Sequence, residues 1–173
     1  MGLWQRYKEM FTGPEVDLST ALAGQLPPGD DVLAATGVIP SAYERGGGGG
    51  LSVSGRVLNA ATSAVENAVS GARHIGGDED GVARRLPLAD GPHVLVLGAR
   101  SMTVWDLGLT MNHTPGELLA TVPREQVASI VDTGKKAQGG VPVVRMTFAD
   151  GSFFDYRLVQ KPGEEFWSVA STY

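Results

Sequence analysis

Three histidines, His74, His93 and His113, are the imidazoles this chain could turn to proton transfer or metal ligation near neutral pH. They lie far apart, and no His-Glu-x-x-His pair brings two of them onto one helix face. Ordinary surface or loop histidines is the plainer reading. A serine nucleophile would need Gly-x-Ser-x-Gly on a sharp strand-to-helix turn, and Gly50-Leu51-Ser52-Val53-Ser54 lacks both the last glycine and a strand before it. Asp78-Glu79-Asp80-Gly81 looks like part of a calcium loop, yet no acid stands at the first position and Pro87 replaces the closing glutamate. A solvated acidic loop fits better. Neither Gly46 to Gly50 nor Gly134-Lys135-Lys136 has the glycine and Lys-Ser/Thr spacing of a phosphate loop.

Anion binding is the next chemistry to weigh. Arg84, Arg85, Arg100, Lys135 and Lys136 are the basic candidates, but no aromatic or glycine cradle accompanies them, so solvated loop charges is the competing reading. Trp4, Tyr7 and Phe11 make a stronger case. Three large aromatics on an eleven-residue segment beside Arg6 and Lys8 suit a partner groove, a membrane interface, or docking on the chain's own core.

Composition narrows the classes. At 173 residues and with 24 glycines, but only 19% charged residues, the polar character comes from turns, which favours one main β-rich domain with appendages. The chain has no cysteine, so disulfides, thiolate metal sites and cysteine nucleophiles are excluded together, and a cytoplasmic setting follows as the simpler expectation. No apolar run reaches the ~20 residues of a membrane-spanning helix. A net charge of -5 with scattered basic residues argues against nucleic acid.

The elements that must position these residues follow from periodicity. Leu3, Trp4, Tyr7, Met10 and Phe11 recur at helical spacing and give an N-terminal amphipathic helix over 1–13, ended by Gly13-Pro14. After the turn Leu26 to Asp30, the run Asp31 to Ile39 reads as a first strand. A glycine run then leads to a helix from Leu51 to Ile75, with a narrow stripe of Val53, Val57, Ala61, Val65, Ala68, Val69 and Ala72, and a flexible piece from Gly76 to Gly81. This flexible helical insertion spans 44–92. From His93 the texture is that of strands: Val94 to Gly98 and Met102 to Leu107 as a hairpin, Leu118 to Val122, a turn at Pro123-Arg124-Glu125, then Val127 to Thr133, which Gly134 breaks.

The next hairpin fixes its own register. A two-residue Asp150-Gly151 turn would set Met146 against Asp155 and split the apolar pattern. A three-residue loop with Gly151 left-handed pairs Phe148 with Ser152, Met146 with Phe154 and Val144 with Tyr156, so Arg145, Asp155 and Arg157 point outward. Pro162-Gly163-Glu164-Glu165 opens a last helix whose Phe166, Val169, Ala170 and Tyr173 would plug an open barrel end.

The stretches HVLVLGARSMTVWDLG, LLATVPREQVASIVDTG and VVRMTFADGSFFDYRL resemble the bacterial pleckstrin-homology-like (PH-like) domains in the order of strand pair, turn, strand, Asp-Gly hairpin and terminal helix. The likeness covers about the last 80 residues plus the first strand. It implies an α+β, mainly β fold over 26–173: an antiparallel barrel or sandwich capped by a C-terminal helix, with the helical insertion after strand one. It also implies a module that binds rather than catalyses, with no cofactor and no metal. The Thr-Asp-Arg-Arg turn of many relatives is here Gly98-Ala99-Arg100-Ser101, and the basic cluster that lipid-binding relatives carry after strand one is not matched. A protein partner is therefore the leading expectation. The alternative is a peripheral membrane module in which Trp4, Tyr7 and Phe11 insert, and an enzyme of unrecognised type ranks last.

Overall fold

The computed structural model describes residues 22, 24–41, 74–88, 92–106, 116–137, 140–159 and 161–173. The expected N-terminal helix, with Trp4, Tyr7 and Phe11, lies outside the described residues, as does the helix over Leu51 to Ile75 except its last two residues. The described residues form eight strands: β1 (Val32–Pro40), β2 (Ile75–Gly76), β3 (His93–Gly98), β4 (Ser101–Asp106), β5 (Leu118–Pro123), β6 (Val127–Lys136), β7 (Pro142–Phe148) and β8 (Phe153–Leu158). Short 3-10 turns cover Val82–Arg85 and Arg124–Gln126, and helix α1 (Glu164–Ala170) comes last.

All pairings are antiparallel, in the order β5-β4-β3-β1-β8-β7-β6 with β2 beside β8. The fold is mainly β and antiparallel with a C-terminal helix, as expected, and of the expected barrel or sandwich the sheet does not close into a barrel. Among the described residues, β5 and β6 keep one unpaired edge each. The reason lies in their connection: a single 3-10 turn redirects the chain after Pro123, and β6 pairs with β7 instead of folding back on β5. Helix α1 contacts β1 and β6 and buries Phe166 and Ala170 in the main core.

The predicted hairpin register is observed. Met146 faces Phe154, Val144 faces Tyr156, the Phe148 N–H donates to the Ser152 carbonyl at 2.8 Å, and Gly151 takes φ 80°. That conformation costs a residue with a Cβ roughly 1–2 kcal/mol. Gly134 does not end its strand, contrary to expectation. It takes φ 74° in a bulge, where Asp132 Oδ1 accepts its N–H at 2.8 Å, and the ladder resumes with Lys136 opposite Pro142.

Among the described residues the apolar side chains pack in two cores. The main one gathers Leu95, Leu97, Met102, Val104, Met146, Phe154, Tyr156 and Leu158; a second packs Val94, Val96 and Trp105 against Leu22, with Leu26 and Val32 at its margin. Val94-Leu95-Val96-Leu97 is a continuous apolar run rather than an alternating one, and such a run marks a strand covered on both faces.

Two further expectations give way. Ile75 ends no helix; it pairs with Phe154 in β2. The stretch after it is also clasped rather than loose. A Cβ on Gly76 would stand 2.1 Å from the Phe153 ring, so glycine serves close approach there. Beyond the exposed acidic residues Asp78, Glu79 and Asp80, the Val82 N–H donates to Asp150 Oδ2 at 2.8 Å and the Ala83 N–H to Ser152 Oγ at 3.1 Å. Asp150 also accepts the Ser152 hydroxyl at 2.6 Å; that bond and the Val82 N–H hold its carboxyl below the usual range.

Candidate functional site

The basic candidates from the sequence are not gathered in one place. Arg84 and Arg85 are exposed in the 3-10 turn docked on the β7–β8 turn. Lys135 and Lys136 end β6, and Lys136 approaches Asp132 at 3.9 Å. Asp132, both lysines and the Gly134 bulge blunt the open edge of β6, a role that needs no ligand. Arg100 borders a depression.

That depression is built on the β3–β4 turn. Asp30 caps the turn: its Oδ1 accepts the N–H groups of Arg100 at 2.8 Å and Asp31 at 3.1 Å, and its Oδ2 accepts the Ser101 hydroxyl at 2.5 Å. The Asp31 carbonyl accepts the Ala99 N–H at 2.9 Å. With the backbone so held, Arg100 is presented outward, and among the described residues its side chain makes no hydrogen bond or ion pair.

Arg124 stands beside it, reached from the β5–β6 turn, with its N–H on the Arg100 carbonyl at 2.9 Å. Its guanidinium donates to the Thr172 carbonyl at 2.7 Å and the Thr172 hydroxyl at 3.0 Å, and lies 4.6 Å from the centre of the Tyr173 ring. The Tyr173 hydroxyl points its proton at the Gly98 and Ser101 carbonyls, the latter at 3.0 Å, which ties the end of the chain to the same turn. Burial pushes this phenol up to about 12. The depression between the two turns is lined by Ala99, Arg100, Pro123, Arg124 and Glu125, and it is shallow and wide open. Sequence reasoning treated Pro123-Arg124-Glu125 as a turn and missed Arg124. No local pattern signals it, because its partners Ala99, Thr172 and Tyr173 are distant in sequence.

A second polar cluster joins β7, β8 and the residue before β2. Arg145 grips Asp155 with two bonds, Nε to Oδ1 at 2.7 Å and a terminal nitrogen to Oδ2 at 2.9 Å, and His74 Nδ1 lies 3.2 Å from Oδ2. Arg145 also stacks 3.9 Å from the Phe153 ring centre. Asp155 was expected to point into solvent but is 2% exposed, because His74, Arg145 and β2 cover it. Burial raises its carboxyl, and the bonds from Arg145 and His74 outweigh that and leave it below the usual range. His93 is likewise no surface histidine: it is buried at the β1–β3 pairing, and desolvation lowers its pKa against the pull of Asp106.

Among the described residues, no three His, Asp or Glu side chains gather to hold a metal ion. No described helix is long and apolar enough to cross a membrane. Compared with family models, curated proteins and solved structures, the chain finds no match.

Proposed function

We propose that this chain is a PH-like, non-catalytic interaction module that binds a protein partner at the corner where the β3–β4 turn meets the β5–β6 turn. The PH-like reading is supported by the element order: β1, β3, β4 and β5 adjoin on one side of the sheet, β6 to β8 on the other, and α1 follows. The observation that carries the partner reading is the depression around Arg100 and Arg124. Small-molecule sites enclose most of their ligand, whereas this one is open and is lined by the small apolar Ala99 and Pro123 together with Arg100, Arg124 and Glu125. Arginine is enriched at the centres of protein interfaces, where its planar fork takes carboxylates in pairs of bonds. Arg124 is already held by Thr172 and Tyr173, so little side-chain freedom is lost when a partner arrives.

Arg100→Glu tests the reading. Parent and variant are used as bait side by side in lysate of the native cell, and their thermal stabilities are compared. The expected result is a protein retained by the parent, lost by the variant, at unchanged stability. Equal retention by both would refute the corner as the contact surface.

A further inference from the structure

β1 and β2 line the same edge of β8, since β7 occupies the opposite edge at Phe153 and Phe154. Val38, Ile39 and Pro40 face Leu158, Arg157 and Tyr156 in turn. Carried on in that register, residues 42 and 43 would face Phe154 and Phe153, but Ile75 and Gly76 stand there, an offset of 33 at both positions (75 − 42 and 76 − 43).

The hydrogen bonds keep the same beat. An antiparallel ladder bonds every second residue. The Val159 N–H donates to the Gly37 carbonyl at 2.9 Å, which assigns the Asp155 N–H, four residues along, to the place Ser41 would take; it donates instead to the His74 carbonyl at 2.8 Å. Pro40 falls between bonded positions on this edge, where β8 asks for no N–H.

We infer that β1 and β2 are one strand, cut after Pro40 by an insertion of 33 residues spanning 41–73, and that His74, Asp155 and Arg145 form the latch that holds the cut ends in line. The latch sits at the joint: Asp155 faces the first residue after the cut, bonds it through both backbone and side chain, and is anchored from β7 by Arg145. The sheet and the insertion are thus separable, whatever each of them contacts. This inference does not rest on the partner reading.

The test is a pair of deletions in the full chain. Removing 41–73 joins Pro40 to His74 and keeps every pairing with β8. Removing 41–74 joins Pro40 to Ile75 and asks adjacent Cα atoms, ~3.8 Å apart, to span two ladder positions, about 6.7 Å. The first chain is expected to unfold cooperatively within a few degrees of the parent, with the Asp155 amide still protected from hydrogen exchange. The second should melt roughly 10 °C lower. A third chain, with 41–73 replaced by six Gly/Ser residues, guards against a joint that is merely strained. If the linker chain folds and the seamless one does not, or if the two deletions melt alike, the single-strand reading is overturned; it is overturned equally if none of the three folds.

Discussion

Tyr156 is fully buried in the main core, its ring 4.5 Å from that of Phe154, and among the described residues its hydroxyl has no hydrogen-bond partner. A buried hydroxyl left unpaired costs about 1–3 kcal/mol of desolvation. Tyr156→Phe keeps the ring and its tilted contact and removes the oxygen. The void left is one atom wide, and at ~24 cal/mol per Å³ it costs roughly 0.3 kcal/mol. The balance is a gain of about 1 kcal/mol, or about 2–4 °C in Tm for a chain of this size. Urea unfolding of parent and variant at pH 7 measures it. A second reading comes from alkaline pH. Burial holds the folded phenol well above its ordinary range, while the unfolded chain ionises near pH 10, so the parent's stability is intact below that pH and falls above it. The variant escapes that loss, and its advantage should widen above pH 10. A variant less stable than the parent by 1 kcal/mol or more would show that the hydroxyl is bonded, and the reasoning would fail.

Other outcomes follow from the clasp on β8. Asp155→Asn leaves Arg145 and His74 without their carboxylate; Arg145 is 33% exposed and regains water, so the loss is about 2 kcal/mol rather than the 3–5 of a fully buried pair. Because the folded carboxyl titrates below its unfolded value, that contribution is present above about pH 4 and is lost as the pH falls through the lowered folded value, so the stabilities of parent and variant should draw together progressively on acidification below pH 4. Gly76→Ala drives a methyl into the Phe153 ring and should cost about 2 kcal/mol by overpacking, with faster hydrogen exchange confined to 74–85 and 152–155; unchanged exchange there would contradict the close approach.

Much of the sheet was legible because its signals are local. The Asp150-Gly151 hairpin announced its register because one slip would have put Asp155 in place of Phe154 opposite Met146. The strands from His93 to Leu158 and the stripe of α1 were readable from alternation and from three-and-four spacing. What escaped was set by partners far along the chain. Asp155 looked like an outward residue until His74, 81 positions earlier, covered it. Glycines 76 and 77 looked like a hinge because sequence alone does not tell close approach from freedom. Arg100 was singled out for its charge, but Arg124 became its neighbour only through the meeting of two turns. The second core was written in Val94 to Leu97, whose unbroken apolar run puts Leu95 and Leu97 in one core and Val94 and Val96 in the other.

The claim that recognition happens at the Arg100–Arg124 corner is tested most directly by hydrogen exchange on the full chain with and without the protein that Arg100→Glu fails to retain. Slowed exchange at 98–101 and 123–126, with Lys135, Lys136, Arg84 and Arg85 unchanged, is the result expected. Protection centred on the β6 end or on the 82–85 turn, with the corner unaffected, would contradict it.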